Sequence, residues 1–386
     1  MNDLALGIVA ALPWLATPVV AAARGRRVVT LDVESGSAPA DAPPLTVVIP
    51  ARDEAHNIEA CLRSVLTSTY PRLEVVVVND HSADGTGDIA RRVALPDGRV
   101  RVVENPDLPP GWMGKQWACA TGAREGRGEL LCFVDADTRH TPELLTRAVN
   151  GMRRRGAALL SVVGTQEARS FWERVMQPLI FALIGLRFGG TEQVERSRRV
   201  RDKIVNGQFI LTRRDVYESL GGHASVRDLV GEDLALAQRY FAHGHEIALS
   251  AAPAMLSTRM YTSLGEIVGG WRKNVFAAGR HAMPGGRMSG VIAAVLLLLT
   301  PILALLPPVA LAWSLAAGGP AWMQIGSALA LGAQLVFLLG LYHLMRVPLP
   351  YALLFPLGAV VLMYIGATAV ARGSRVAWKG REYRAA

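Results

Sequence analysis

The chain has 386 residues, 51% of them hydrophobic, and a formal net charge of +9. That length holds two domains, or one domain beside a membrane part. Three cysteines, Cys61, Cys119 and Cys132, odd in number and far apart in apolar surroundings, exclude a disulfide framework or a zinc site and read as reduced core residues. The positive charge suits nucleic acid or an anionic membrane surface, and the distribution of apolar residues decides for the membrane and against nucleic acid.

Leu4 to Ala23 carries no charged side chain and is long enough to cross a bilayer core of roughly 30 Å. Arg24, Arg26 and Arg27 follow at once, whereas the leader holds Asp3, so residues 1–27 read as a retained anchor with its carboxyl side in the cytoplasm rather than a cleaved signal. Residues 28–44, with the small, polar, proline-containing run DVESGSAPADAPP, read as a linker.

A globular domain is expected over 45–280. Apolar β-type runs at 45–50, 73–78, 100–103 and 130–134 alternate with helical patterns near 54–68, 85–94, 114–125 and 142–155. Strands separated by helices imply crossovers, hence an α/β fold with a mainly parallel sheet covered on both faces. Within it, 45–140 and 141–280 read as two halves. The apolar patch Pro178 to Gly190 is too short to span and reads either as an interfacial segment, with Arg187, Arg196, Arg198, Arg199, Arg201 and Lys203 near anionic headgroups, or as a buried helix with a solvated basic loop. Beyond it come a short strand at 206–212, a helix opened by Gly231-Glu232-Asp233 and an amphipathic stretch from Leu264 to Arg280.

From Met288 to Ala371 the only charged residue is Arg346. A charge at the centre of a membrane helix costs about 2.5 to 3.5 kcal/mol on insertion scales, and so long an avoidance marks membrane spans, here near 290–313, 321–343 and 349–371. Three crossings after a cytoplasmic domain would leave the tail at 372–386, with Arg372, Arg375, Lys379, Arg381 and Arg384, outside, against the positive-inside rule. One proline-bearing segment is then re-entrant, or a span is miscounted.

The organising stretch is ELLCFVDADTRH, where an apolar run ends in Asp135 and Asp137. In open α/β sheets ligands bind at the carboxyl ends of strands, and a tight Asp-Ala-Asp corner suits a hard divalent cation, which usually takes one or two carboxylates plus substrate phosphates. Arg52 and Glu54 follow the first strand and Asp80 the second, so these side chains converge on one crevice. A dinucleotide fingerprint at Gly85, Gly87 and Ala90 is set aside, because five residues separate the strand end from the first glycine and the tight strand-to-helix turn is missing. Gly114-Lys115 lacks the phosphate-loop frame, since Pro109 stands where the first glycine belongs.

VVIPARDEAHNI, VVVVNDHSADGT and LCFVDADT, in this order and spacing, closely resemble the family 2 glycosyltransferases over roughly residues 45–280. The resemblance implies the nucleotide-sugar-binding GT-A fold, a Rossmann-like, mainly parallel sheet. By the same resemblance Asp80 would bond the uracil, Asp135 would lie near the ribose, Asp137 would hold Mg²⁺ or Mn²⁺ on the diphosphate, and Pro50, Ala51 and Glu54 would surround the base. Lys115 would reach the nucleotide pocket, and Asp233 of the Glu232-Asp233 pair would be the general base. Trp271-Arg272-Lys273-Asn274 stands where membrane-bound relatives carry QxxRW, in a different order and without the glutamine, which weakens any link to processive synthases; Arg272 or Lys273 could neutralise the leaving diphosphate. GWMGKQWAC, NGQFILT and GGWRKNVFAAGR look more like bacterial carotenoid glycosyltransferases.

The expected protein is a multi-pass enzyme of the inner (plasma) membrane with a cytoplasmic catalytic domain, moving one sugar, glucose by this resemblance, from a UDP-sugar donor to a membrane lipid acceptor of the isoprenoid class. The alternatives are a hopanoid or ceramide-type lipid glycosyltransferase, a processive polysaccharide synthase, and a nucleotide-binding scaffold or transporter. The last would not need Asp233, and a transport pore would want polar residues inside its spans.

Overall fold

A computed structural model describes residues 2–25, 27–282, 288–372, 375–378 and 381–384. The chain forms two compact units: one of Met1–Arg27, Ala168–Gln193 and Tyr261–Gly373, the other of Val28–Glu167, Val194–Met260 and Ser374–Ala386.

The first unit is helical. Among the described residues four of its helical segments are long and apolar enough to cross a membrane: Asp3–Gly25, Val291–Ala316, Ala321–Leu344 and Leu349–Ala371, the last opening with the 3₁₀ turn Leu349–Leu354. The first and third of these touch backbone to backbone, since a Cβ on Gly7 would come within 2.9 Å of the Trp322 carbonyl and one on Gly326 within 3.0 Å of the Gly7 carbonyl. Small residues let apolar helices approach this closely where no hydrophobic effect drives them together. Their outer faces are bare: Val19 is 68% and Val336 65% exposed, as suits side chains that face lipid rather than water. The Pro178–Gly190 patch belongs to the helix Phe171–Phe188, which Ser170 and Glu173 close with a capping box. Its Val175, Met176 and Ile180 are buried, and the Val175 carbonyl accepts from the Tyr342 hydroxyl at 3.2 Å.

The second unit is built on a seven-stranded sheet. Its strands are β1 (Leu45–Ala51), β2 (Leu73–Asn79), β3 (Val100–Glu104), β4 (Leu130–Val134), β6 (Leu159–Val163), β8 (Phe209–Arg213) and β9 (Ile247–Ala251), in the order β3-β2-β1-β4-β8-β6-β9. The pairs β1/β2, β2/β3, β1/β4 and β6/β9 are parallel, and β8 runs antiparallel to both neighbours. Because successive side chains point to opposite faces, Leu45, Val47 and Ile49 pack on the layer that holds Leu62 and Leu144, while Val48 packs with Ala118, Cys119 and Tyr240. Burial on both faces explains why β1, β2 and β4 read as largely apolar runs.

The expected parallel strands and their helices are present, the latter as Ile58–Leu66, Thr86–Ala94, Gly114–Glu125 and Leu144–Arg154. Three features differ from the reading of the sequence. β6 and β9 complete the sheet, and β5 (Thr138–His140), β7 (Thr165–Gln166) and β10 (Leu256–Thr258) make a second, three-stranded sheet in the order β5-β10-β7. The strand expected from 206 begins at Phe209, leaving Asn206-Gly207-Gln208 as a turn. Lys203 is not a headgroup contact. It is fully buried, donates to the Val194 and Glu195 carbonyls at 2.9 and 2.8 Å and stands over the Phe241 ring.

The polar run before β1 lies along this unit. Buried Glu34 accepts from Arg154 and Arg155, and Asn150 donates to the Ser35 and Ser37 carbonyls. A two-stranded hairpin of β11 (Arg375–Trp378) and β12 (Arg381–Arg384) completes the unit.

Candidate active site

The parallel strands β1, β2 and β4 end on the same side, and their exits form the site. After β1 the chain passes Asp53, and after β2 it passes His81, both at positive φ (50° and 54°), a rare conformation for residues other than glycine. The two loops hold one another: Asp53 N donates to Ser82 Oγ at 3.1 Å, Ala83 N to Asp53 Oδ1 at 2.9 Å, Ala55 N to Asp84 Oδ2 at 2.9 Å and Glu54 N to Thr86 Oγ1 at 2.8 Å. Thr86 and Asp84 thus clamp the Glu54 loop, which accounts for the Asp-Gly-Thr-Gly run without any dinucleotide.

At this end Asp80 is 2% exposed. Its N–H donates to the Ala51 carbonyl at 2.8 Å, so Pro50 and buried Ala51 set its position through the backbone. Asn105 Nδ2 donates to Asp80 Oδ1 at 2.9 Å. Arg381 Nη1 pairs with Oδ2 at 2.7 Å, and Arg52 Nη1 stands 3.6 Å from the same oxygen while donating to the Asp80 carbonyl at 2.8 Å. The sequence pattern singles out neither Asn105 nor Arg381 as a partner of Asp80, although Asn105 follows β3 as Asp80 follows β2.

The Asp-Ala-Asp corner follows β4. Thr138 closes it, donating to the Asp135 carbonyl from its N–H at 3.2 Å and its hydroxyl at 2.7 Å. Burial, then the charges of Asp135 and Glu54, push the Asp137 carboxyl up to about 7, against the opposing pull of Lys115 and Thr258. Asp137 Oδ1 is buried with no hydrogen-bond partner among the described residues. Glu54 is held by Asn57 Nδ2 at 2.9 Å. The Cys61 thiol beneath the corner is pushed up to about 12 by burial, which makes it an inert core group.

Lys115, in the first turn of Gly114–Glu125, joins the two acidic motifs. Its Nζ is 2.8 Å from Asp135 Oδ1 and 3.1 Å from Glu232 Oε1. Burial alone would lower its pKa, but the two carboxylates outweigh that and hold it well above the usual lysine range. The helix start is docked by Met113 N donating to the Arg227 carbonyl at 2.8 Å and Gln116 Nε2 to the Leu229 carbonyl at 2.7 Å.

Asp233 opens the helix Glu232–Ala242 after Gly231, whose φ is +82°. Leu234 N donates to Asp233 Oδ1 at 2.7 Å and Gly207 N to Oδ2 at 3.0 Å. Burial and then the Glu232 charge raise its pKa to about 6, against Lys115 and these two N–H groups. Gly207 cannot readily be larger, since a Cβ there would meet Asp233 Oδ2 at 3.0 Å and its Cβ and Cγ at 3.3 Å. The next residue returns to the acidic corner, Asp135 N donating to the Gln208 carbonyl at 3.3 Å. The turn 206–208 therefore couples Asp233 to Asp135, a role that only the folded register reveals. Arg272 stands on the helix Leu264–Ala282 of the first unit, and this cluster belongs to the second.

Among the described residues no set of three or more His, Cys, Asp and Glu side chains is gathered to hold a metal ion. The donor set nonetheless fits a divalent cation, since such an ion completes its shell with substrate phosphates and water and needs no more from the protein than a corner such as Asp137 with its unpartnered oxygen.

Residues 46–221 match the sequence profile of Glycosyl transferase family 2. The chain is 27% identical over 257 residues to a 4,4'-diaponeurosporenoate glycosyltransferase of Staphylococcus aureus (strain MRSA252), covering 66% of this chain and 65% of that protein. It is 28% identical over 235 residues to the protein of that name from strain USA300, covering 60% of each. The chain thus spans less than two thirds of the length of these relatives. Among solved structures it resembles the mannosyltransferase PcManGT from Pyrobaculum calidifontis, a complex with GDP-Man and Mn²⁺, with a TM-score of 0.57 and 20% identity over 96% of this chain and 98% of that one. The mixed, mainly parallel sheet of the second unit has the GT-A fold, and most of the 46–221 profile match falls within that unit.

Proposed function

We propose that this protein is a membrane-bound, inverting glycosyltransferase that moves a single glucose from a UDP-sugar to a membrane isoprenoid lipid of the carotenoid class. The observation that carries the reading is the cluster Asp135, Asp137, Lys115, Glu232 and Asp233 at the exit of β4, with Asp233 held near pKa 6 by its surroundings. Four apolar helices on the same chain suit an acceptor that stays in the bilayer. The curated relatives named above carry a carotenoid glycosyltransferase name, which supports this acceptor class.

In the proposed mechanism the buried Asp80 carboxylate accepts the imino N–H of the donor base, with the 50–54 loop beside it, and Asp135 orients the ribose. Mg²⁺ or Mn²⁺, held by Asp137, would supply charge stabilisation for the departing diphosphate. Lys115 keeps Asp135 and Glu232 at fixed separation. Asp233, ionised at neutral pH yet near enough to it for efficient proton transfer, takes the acceptor O–H proton as the acceptor oxygen forms its bond to the sugar anomeric carbon. The bond from that carbon to the diphosphate oxygen breaks with its electron pair leaving on the diphosphate. One displacement of this kind inverts the anomeric centre. Arg272 is proposed, from its sequence position alone, to neutralise the leaving diphosphate, and the second unit is proposed to face the cytoplasm, since Arg24 lies in the last turn of the first apolar helix and Arg27 follows it.

A carboxylate at the base edge serves guanine N1–H as well as uracil N3–H, so a donor panel must include GDP-mannose beside UDP-glucose. Membranes containing the protein are incubated with each labelled donor and the organic-phase product is identified. Label in an isoprenoid glycoside from UDP-glucose is the expected result, and label confined to water-soluble products in every arm rejects the reading.

A further inference from the structure

We propose that the hairpin β11–β12 is a strap on the nucleotide end of the site, in which Arg381 occupies the carboxylate of Asp80 until the donor base displaces it. The proposal rests on the assignment of Asp80 to the donor base.

Asp80 is 2% exposed and is already surrounded: Asn105 takes Oδ1 at 2.9 Å, and Arg381 takes Oδ2 at 2.7 Å with Arg52 standing 3.6 Å away. A carboxylate has lone pairs for further donors, but at this burial an imino N–H reaches Oδ2 only by taking the guanidinium's place. Arg381 thus makes with Oδ2 the bond that the donor base would make. A buried carboxylate stripped of its partner is costly, which gives the protein a reason to keep a substitute nearby. The substitute is also easy to remove. β11 and β12 form a sheet of two strands, Arg375 opposite Arg384 and Trp378 opposite Arg381, and an isolated two-stranded hairpin is only marginally stable. Donor binding and release of the strap are therefore linked. If the strapped form holds about nine tenths of the empty protein, the apparent nucleotide affinity is about tenfold weaker than the intrinsic one.

The contact carries a second consequence. Asp80 and Arg381 lie on one side of any bilayer, so an even number of the three apolar segments Val291–Ala316, Ala321–Leu344 and Leu349–Ala371 crosses it. That returns the basic tail to the side of the catalytic domain and removes the charge conflict noted in the sequence.

The test measures UDP and GDP binding to the full-length protein in lipid nanodiscs, comparing wild type, Arg381→Ala, Arg381→Lys and a chain ending at residue 372. The expected result is that Arg381→Ala and the truncation tighten nucleotide binding about tenfold and lower the donor KM with little change in kcat, Arg381→Lys falling between. Wild-type binding that is unchanged or weakened in Arg381→Ala overturns the strap alone. Absence of nucleotide binding in all four proteins overturns the assignment of the site and the strap with it. A carboxyl-terminal reporter found on the side of the membrane opposite a probe at Ser219 also overturns the strap.

Discussion

Asp137→Asn removes a charge that the fold keeps buried against two other carboxylates, so it should stabilise the metal-free protein while abolishing metal-dependent transfer. Asp137 is raised from 3.8 to about 7 by burial and by Asp135 and Glu54. At about 1.4 kcal/mol per unit that is on the order of 4 kcal/mol at most, of which roughly 2 kcal/mol is expected to be gained by the variant, because a buried Asn amide keeps part of the desolvation cost. The sign follows from linkage. A carboxyl whose folded pKa is raised lends its stability in full below the unfolded pKa and loses it as pH rises through the folded value, here between about 4 and 7. Melting of the purified protein in detergent, followed by intrinsic fluorescence with chelator present, should show little difference between wild type and Asp137→Asn near pH 4. By pH 8 the variant should melt about 4 to 8 °C higher, by the usual scaling for a domain of this size. Adding Mn²⁺ with UDP at pH 8 should raise wild type and leave the variant unmoved. A gap that does not grow with pH, or a variant that melts below metal-free wild type at pH 8, refutes the reasoning.

Asp233→Asn should leave UDP affinity within a few-fold of wild type and cut single-turnover transfer by about 10² to 10⁴, with Glu232→Gln milder; loss of donor binding in step with transfer would make Asp233 a structural residue. The transfer rate of wild type should rise with pH through about 6, where Asp233 ionises. In Lys115→Met, which removes the cation holding that pKa down, the acid limb should move to higher pH, and an unmoved limb contradicts the assignment. Gly207→Ala, whose Cβ presses on Asp233, should lower kcat by up to roughly 10²-fold at unchanged donor affinity, and unaltered turnover would show that the turn 206–208 does not position the base.

The strands β1, β2 and β4 and the carboxylates at their ends were legible because each strand is almost wholly buried and so written as a largely apolar run closed by polar residues, whereas the edge strand β3 is only half-buried and carries Arg101 within it. β7 has two residues and β5 and β10 three, too few for any periodicity to register. Their pairing is decided by tertiary register, Thr258 lying opposite both Thr138 and Gln166. Asp80 was visible at a strand end, but two of its partners arrive from Asn105 and from Arg381, 301 residues away in sequence, and no local pattern announces that. Lys203 misleads for a related reason: a lysine in a basic stretch reads as solvated, and only the carbonyls of Val194 and Glu195 meeting it in the fold make its burial affordable. Gly207 looked like part of a strand, whereas its smallness serves the approach of Asp233.

Transfer of a sugar to a lipid by the acidic cluster is tested by single-turnover transfer from labelled UDP-glucose by the full-length protein in nanodiscs supplied with an isoprenoid alcohol or acid. An organic-phase glycoside with inverted anomeric configuration is the expected product, formed by wild type, lost with chelator and nearly lost in Asp233→Asn. A product with retained configuration, or transfer undiminished in Asp233→Asn, contradicts it.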